Sequence, residues 1–166
     1  MVRKCLSTAI AALVGLALAA NVLADDYKIG DLTIQHPWAQ ASTGLANAGA
    51  AYLEIVNDGK APDLLIAVDT PVAEHVQLHA HLIEGGVAVM RPIEAIEVSP
   101  GAPVILQPGG LHVMLMGLTS RLVEGDQFSL SLTFQRAGTI SISVPIKASN
   151  LGGDNSHGTD QHQGNS

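Results

Sequence analysis

Soft metal donors are concentrated in one stretch of this chain. The three methionines that follow the initiator all lie between residues 90 and 116, and His79, His81 and His112 lie in or near that stretch. Thioether sulfur is a soft ligand that suits Cu(I) and is a poor ligand for Zn²⁺, Mg²⁺ or Ca²⁺, whereas imidazole also binds copper well. The combination of residue types predicts a copper site.

Alternation along two apolar runs indicates how these donors could meet. Side chains of a strand point to opposite faces in turn, so the apolar residues of the runs 76–82 and 111–116 would point into a core, Leu82 among them. The donors would then share the opposite, outer face: His79 and His81 on the first run, and His112, Met114 and Met116 on the second. Met90 lies near the start of the next apolar run and would close the site.

Not every one of these residues needs to bind metal. A methionine in a strand usually fills a core, and packing is the interpretation favoured for Met116. For His81 a ligand, a neighbour that supports a ligand and a bystander all stay open. His36 and His75 are interpreted as ordinary surface or turn residues. Met114 differs, because alternation places it on the polar face, where packing gives a methionine no reason to be.

The N-terminal segment is typical of a secretory signal. Arg3 and Lys4 precede an uncharged, largely apolar run over residues 6–20, and small residues suited to signal peptidase end at Ala24. That run is short for a membrane span. Cys5 precedes the run, whereas a lipid anchor needs a cysteine after it. We expect cleavage near Ala24, a periplasmic mature protein without stable membrane insertion, and, as the alternative, a retained N-terminal anchor.

Loss of the signal would exclude several classes of protein. Cys5 is the only cysteine, so the mature chain would have neither a disulfide nor a thiolate metal site, and a blue-copper electron carrier needs such a thiolate. The net charge would change from −7 to −9, because Arg3 and Lys4 would leave while all 15 acidic residues remain. An acidic domain with scattered basic residues is a poor partner for nucleic acid. No Ser/His/Asp arrangement or phosphate loop indicates a hydrolase.

The chain divides into three parts: a signal over residues 1–24, one domain over 25–147 and a tail over 148–166. The middle part consists of short alternating runs broken by Gly, Pro, Asn and Asp, without a sustained helical period. This pattern predicts an all-β fold, an antiparallel sandwich or small barrel. The predicted strands are 29–35, 50–56, 64–68, 74–83, 87–93, 103–106, 111–116, 127–134 and 139–146.

The tail has a different composition from the domain. It consists mainly of Gly, Asn, Ser, Asp and Gln, and Leu151 is its only sizeable apolar residue. Such a segment buries too little apolar surface to fold, which predicts a disordered extension. Its two histidines, His157 and His162, are nitrogen donors that could add a second mode of binding for Cu(II).

The spacing of the donors resembles the metal motif of a known family. Ten residues separate His79 from Met90, twenty-one separate Met90 from His112, and one separates His112 from Met114. This spacing resembles the motif of the periplasmic copper chaperones known as PCuAC. The resemblance extends over nearly all of residues 27–147. It includes Pro37-Trp38-Ala39, Gly49-Ala50-Ala51-Tyr52-Leu53, Met90-Arg91-Pro92, Pro108-Gly109-Gly110-Leu111-His112, Met114-Leu115-Met116-Gly117-Leu118 and Leu130-Ser131-Leu132-Thr133-Phe134.

The resemblance implies a fold, a metal and a role. It implies a cupredoxin-like, Greek-key β-sandwich that binds Cu(I) through His79, Met90, His112 and Met114 and is not an enzyme. It also implies delivery to the dinuclear copper centre of a cytochrome c oxidase subunit, directly or through a partner such as a thioredoxin-like assembly protein. Many members have methionine where this chain has His81, and that harder donor would favour Cu(II). The candidates for auxiliary donors are His81, Met116, His157 and His162, with packing still the favoured interpretation for Met116.

Two other functions stay open on the residues alone. The first is a periplasmic copper redox or copper-tolerance protein that buffers the metal rather than delivering it. The second is a plain interaction module in which the histidines and methionines are incidental.

Overall fold

A computed structural model describes residues 26–43 and 46–148, which form β-strands joined by turns and loops, without a helix in those ranges. Across this part of the chain, no helix has the length and apolarity that crossing a bilayer requires. The strands are β1 (Tyr27–Ile29), β2 (Leu32–Gln40), β3 (Ala48–Asn57), β4 (Asp63–Asp69), β5 (Ala73–Glu84), β6 (Val87–Pro92), β7 (Ile96–Val98), β8 (Val104–Leu106), β9 (His112–Leu118), β10 (Gln127–Phe134) and β11 (Gly138–Lys147).

The strands follow one hydrogen-bonded path in the order β6-β5-β9-β3-β2-β11-β10-β4-β7, with β1 on β2 and β8 on β3. Strand β11 links the two halves of this path, and apolar side chains from both halves enclose a single core. The predicted all-β sandwich is therefore confirmed. One strand pair departs from the antiparallel pattern, because β11 runs parallel to β2 where Ile146 and Lys147 meet Ala39 and Gln40.

Strand β2 continues past Gln35, where the first predicted strand ends, through His36 and Pro37. Its register against β3 shifts between Gln35 and Trp38, and His36 has a positive φ of 49°. Such a bulge adds residues to one strand and reverses which positions face inward. Ile34 is buried before it and Ala39 after it, positions of opposite parity. The predicted end at Gln35 was therefore wrong, since the strand passes through the bulge and ends at Gln40.

The bulge places an aromatic pair beside the end of β11. The rings of Trp38 and Tyr52 lie 4.6 Å apart between centroids, and the Lys147 ammonium lies 5.7 Å from the Trp38 ring centre. Aromatic pairs and cation–π contacts of this kind each contribute about 0.5–1.5 kcal/mol. They fix β2 and β3 next to the point where β11 ends.

The turn joining β10 to β11 is anchored by a buried carboxylate. One oxygen of Asp63 accepts hydrogen bonds from the backbone N–H groups of Leu64 and Arg136, both at 2.8 Å, and the other accepts one from Ala137 at 2.9 Å. Burial by itself raises the pKa of Asp63. The three N–H donors and the nearby Arg136 charge outweigh that effect and hold the pKa below its ordinary value.

Asn57 makes a similar anchor at the end of β3. Its buried side-chain amide donates to the carbonyl oxygens of Ala61 at 3.0 Å and Val98 at 2.8 Å, and its amide oxygen accepts from the N–H of Gly59 at 2.9 Å. All three bonds join the side chain to backbone groups, so the loop leading from β3 to β4 is held tightly against β7.

Candidate metal centre

Three adjacent strands, β6, β5 and β9, carry the donors predicted from the sequence. Residues directly opposite each other in an antiparallel pair project from the same face of the sheet. The register places all four of the predicted main ligands on one face: His79 lies opposite His112, His81 opposite Met90, and Gln77 opposite Met114. Residues that are far apart in the sequence are thus neighbours in the sheet.

The two central imidazoles lie side by side. The ring centroids of His79 and His112 are 5.7 Å apart, with their planes tilted by 57°. Val113 and Leu115 are fully buried on the opposite face of β9, as alternation predicted. The expectation that His112 would be on an open outer face was wrong, because that side chain is only 5 % exposed.

The hydrogen bond of His112 determines which of its nitrogens is available. Its Nδ1 lies 3.1 Å from the carbonyl oxygen of Gly110. A carbonyl can only accept, so this bond requires a proton on Nδ1 and leaves the lone pair of Nε2 free. A histidine held in this way by a backbone carbonyl is the usual arrangement for a metal ligand.

His79 uses its other ring nitrogen for its hydrogen bond. Its Nε2 lies 3.2 Å from the amide oxygen of Gln77. In the tautomer that donates to this oxygen, the proton is on Nε2 and the lone pair is on Nδ1. Among the described residues, this Nδ1 is the one buried side-chain nitrogen or oxygen without a hydrogen-bond partner. Such atoms are rare in native structures, and an absent ion is one explanation for them.

The charge state of His79 also suits a metal. Burial lowers the pKa of His79, and the neighbouring His112 lowers it further. The imidazole is therefore neutral near pH 7, and the neutral form is the one that binds a metal ion.

The two methionines have different exposure. Met114 is half-buried, whereas Met90 on the edge strand β6 is 59 % exposed. Both line a cavity of about 410 Å³ together with His81 and His112. The rest of its wall is uncharged, from Gln40–Thr43, Ala46, Ala48–Ala50, Tyr52, Pro108 and Gly109. His79 is outside this lining and reaches the site beside His112.

The structure also places the auxiliary donors. His81 lines the cavity, but Met116 does not and lies opposite His75 instead. His157, His162 and the predicted signal cleavage site are outside the described residues. No three His, Cys, Asp or Glu side chains within residues 26–43 and 46–148 are grouped as a metal site. The candidate set contains only two residues of those types, and its other two are methionines.

Two features of the site were not predicted. Leu82 was expected in the core, yet it is 42 % exposed, and its neighbours in the β5–β6 hairpin, Ile83 and Val87, are exposed as well. Gln77 was not singled out, although it bonds His79 and lies opposite Met114. Its position two residues before His79, on the same face of the strand, was the available signal.

Known proteins are similar to this chain over most of its length. A family model described as "Putative lipoprotein LpqE-like" matches residues 32–146. The "Putative lipoprotein Lxx21020" of Leifsonia xyli subsp. xyli is 26 % identical over 132 residues, which cover 78 % of each protein.

Solved structures share the fold. The copper-bound PCuAC domain from PmoF2 is 28 % identical with a TM-score of 0.65, over 75 % of this chain and 99 % of that domain. The apo PCuAC domain from PmoF1 is 26 % identical with a TM-score of 0.66, over 75 % and 100 %. The Cu(I) form of DR1885 from Deinococcus radiodurans is 25 % identical with a TM-score of 0.58, over 75 % and 81 %. This chain, with its cupredoxin-like all-β fold, therefore belongs to the PCuAC family, which the LpqE-like model also describes.

Proposed function

We propose that this protein is an exported copper carrier that binds Cu(I) through His79, Met90, His112 and Met114 and passes it to another protein. The observation that carries the proposal is the strand register, which brings these four side chains onto one face of β5, β6 and β9. The unpartnered Nδ1 of His79, in a ring that lies beside His112, adds support, because a nitrogen without a hydrogen-bond partner is free to bind a ligand. Copper-bound relatives with the same fold add further support.

The proposed ligands suit reversible binding of a monovalent ion. Two neutral imidazoles and two thioethers provide soft donors without an anionic member. Met90 is the most exposed of the four, so it is the ligand that an incoming donor would displace first. A thiolate is a stronger ligand for Cu(I) than a thioether, and copper would therefore move toward an acceptor with cysteines. This is ligand exchange, without turnover chemistry.

The family resemblance supports a particular recipient and compartment. The recipient would be the dinuclear copper centre of a cytochrome c oxidase subunit, reached directly or through a thioredoxin-like assembly protein. Export to the periplasm is supported by the signal-like residues 1–24 and by the lipoprotein names of the relatives. The uncharged cavity beside Met90 suits an apolar acceptor loop.

One observation favours a second function, copper buffering or redox cycling. His81 lies opposite Met90 and lines the same cavity, which places a third imidazole beside the site. A third nitrogen donor suits Cu(II) better than a methionine at that position would. Rapid, reversible cycling of the bound metal with oxidant and reductant would favour this second function over delivery.

A Cu(I) titration against a competing chelator, under reducing conditions, tests the main proposal. We expect one tightly bound Cu(I) per folded domain, with Zn²⁺ competing poorly because the site has two thioethers and no carboxylate. Mixing the loaded protein with an apo acceptor domain that contains cysteines should then transfer the copper. Tight zinc binding that blocks Cu(I) would contradict the proposal, and copper retained in the presence of the acceptor would contradict delivery.

A further inference from the structure

A second pair of soft donors lies farther along the same face. His75 on β5 is directly opposite Met116 on β9. Residues 75, 77, 79 and 81 of β5 alternate onto one face, and residues 112, 114 and 116 of β9 share it. The His75–Met116 pair is therefore on the face that carries the proposed copper site, with Gln77 and Met114 between them.

The ring of His75 is free to accept a ligand. His75 is exposed, and neither ring nitrogen has a hydrogen bond or ion pair with any residue in the described part of the chain. His81 is the other described histidine whose ring nitrogens have no hydrogen bond or ion pair with a described residue, and it too lies directly opposite a methionine, Met90.

The remaining described histidines all have partners. His36 lies 3.7 Å from the Glu54 carboxylate, while His79 and His112 bond Gln77 and the Gly110 carbonyl. Both unpartnered rings thus have a thioether directly across the strand pair.

Met116, opposite His75, is not part of the buried core. Met116 is half-buried, and its neighbour on the other side is Ala48 of β3, whose methyl group occupies little space. Directly opposite side chains have Cβ atoms about 4.5–5.5 Å apart, a separation that a histidine and a methionine can bridge through one ion. Core packing alone would not require an imidazole opposite this methionine.

We propose that His75 and Met116 form a second Cu(I) site, weaker than the main one, on the same face of the sheet. A d¹⁰ monovalent copper ion accepts as few as two soft or borderline donors, and a thioether with an imidazole supplies them. His75 is four residues from His79, about 13 Å along the strand. Met114 lies between the two positions and is within reach of both. The site would receive copper before it enters the main site, an assignment that rests on the proposed function.

Titration of the mature protein with Ag(I), a redox-inert substitute for Cu(I), beyond one equivalent tests this. NMR signals of the histidine rings and methionine methyl groups would report each step. The first equivalent should shift the signals of His79, His112 and Met114, and the second those of His75 and Met116. His75→Ala and Met116→Leu should each abolish the second step and leave the first unchanged.

His36→Ala is the matched control, because it also removes an exposed histidine but one that faces Glu54 rather than a methionine. This control should retain both steps. A second step that persists in His75→Ala, or its absence from the unaltered protein, would overturn the second site. A first equivalent that bypasses His79 and His112 would instead overturn the proposed function, so the two failures are distinguishable.

Discussion

Two regions of this sandwich differ in how their buried polar groups are paired: the surroundings of Asp63, and the face of β5, β6 and β9 that carries the histidines and methionines, here called the histidine–methionine face. Around Asp63, both carboxylate oxygens are occupied by backbone N–H donors, and the group is only 5 % exposed. On the histidine–methionine face, His79 has a buried nitrogen without a partner and Met90 is largely in solvent. The carboxylate oxygens of the first region are all paired within the described residues, whereas the second region has a buried ring nitrogen, His79 Nδ1, without a hydrogen-bond partner.

The two regions therefore differ in role: the hydrogen bonds of Asp63 stabilise the fold, whereas the His79 imidazole is available to a ligand. A satisfied buried carboxylate stabilises the protein, because its removal leaves several buried donors without acceptors. An unsatisfied imidazole costs stability in the apo protein, and that cost is recovered when a ligand arrives. Substitutions in the two regions should therefore affect different measurements.

The largest effect should follow Met114→Leu on the histidine–methionine face, where Met114 is a proposed ligand. Losing a direct ligand should weaken Cu(I) binding by at least the roughly 10–100-fold that removal of a supporting group typically costs. The swap keeps size and apolarity, so the apo protein should lose less than about 1.5 kcal/mol of stability. Chelator competition and thermal unfolding measure the two quantities. Met116→Leu is the matched control and should keep the tight site, and a destabilised apo protein with intact affinity would mean that Met114 is packing.

A smaller effect, on stability alone, should follow Asp63→Asn. The new amide would point N–H groups at a backbone donor, and the loss should be about 1–3 kcal/mol at neutral pH, with Cu(I) affinity unchanged. Chemical denaturation measures it. Asp69→Asn removes the same charge from an exposed position on the same strand and should stay within about 0.5 kcal/mol of the original.

The pH dependence of that loss has a defined sign. The pKa of Asp63 is lowered in the folded state, so its contribution is complete above the unfolded value of about 3.9 and disappears as pH falls through the folded value. The difference between the original protein and Asp63→Asn should therefore narrow below about pH 4. A difference that stays constant through acid pH would show that the carboxylate charge is irrelevant.

The smallest effect on the tight site should come from removing the tail. Strand β11 ends at Lys147, whose carbonyl accepts a hydrogen bond at 2.9 Å from Ala41, a residue of the cavity wall. The chain beyond therefore starts near the site and carries His157 and His162. Truncation after Lys147 should leave Cu(I) binding unchanged and weaken Cu(II) binding, as should replacing both histidines by Asn. Equal Cu(II) affinity of all three proteins, measured by titration at neutral pH, would assign the tail no metal role.

Alternation made most strands and their faces predictable. The buried Val113 and Leu115, with His112, Met114 and Met116 opposite, follow from period-two patterning alone. The short strand β7 was missed because it offers only two apolar residues, Ile96 and Val98, whereas the equally short β8 is apolar throughout and was predicted. Strand β1 was merged at Ile29 into the first predicted strand, 29–35. The β2 bulge was missed because the inward-facing positions change parity between Gln35 and Trp38, so that the alternating pattern does not continue across it.

Two features could not be inferred from the alternation of apolar residues: the register in which the strands pair, and the burial of a residue by other strands or loops. No local feature of the sequence indicates that His75 meets Met116, or that His79 meets His112, because pairing depends on how the whole sheet assembles. His112 is covered although its strand neighbours alternate as expected. Neither the orphaned nitrogen of His79 nor the role of Gln77 could be inferred before their neighbours were known.

The edge position of β6 has a mechanical consequence. Within the described residues, β6 pairs with β5 only, so its backbone can open without disturbing the rest of the sheet. With copper on the proposed ligands, one ion would cross-link β6 through Met90, β5 through His79 and β9 through His112 and Met114. The metal would then hold the edge strand β6 against its neighbours, and release of the metal would free that strand again. Loaded and empty carriers would differ in the amide-exchange rate of this one hairpin, a local difference in rigidity that an acceptor could sense.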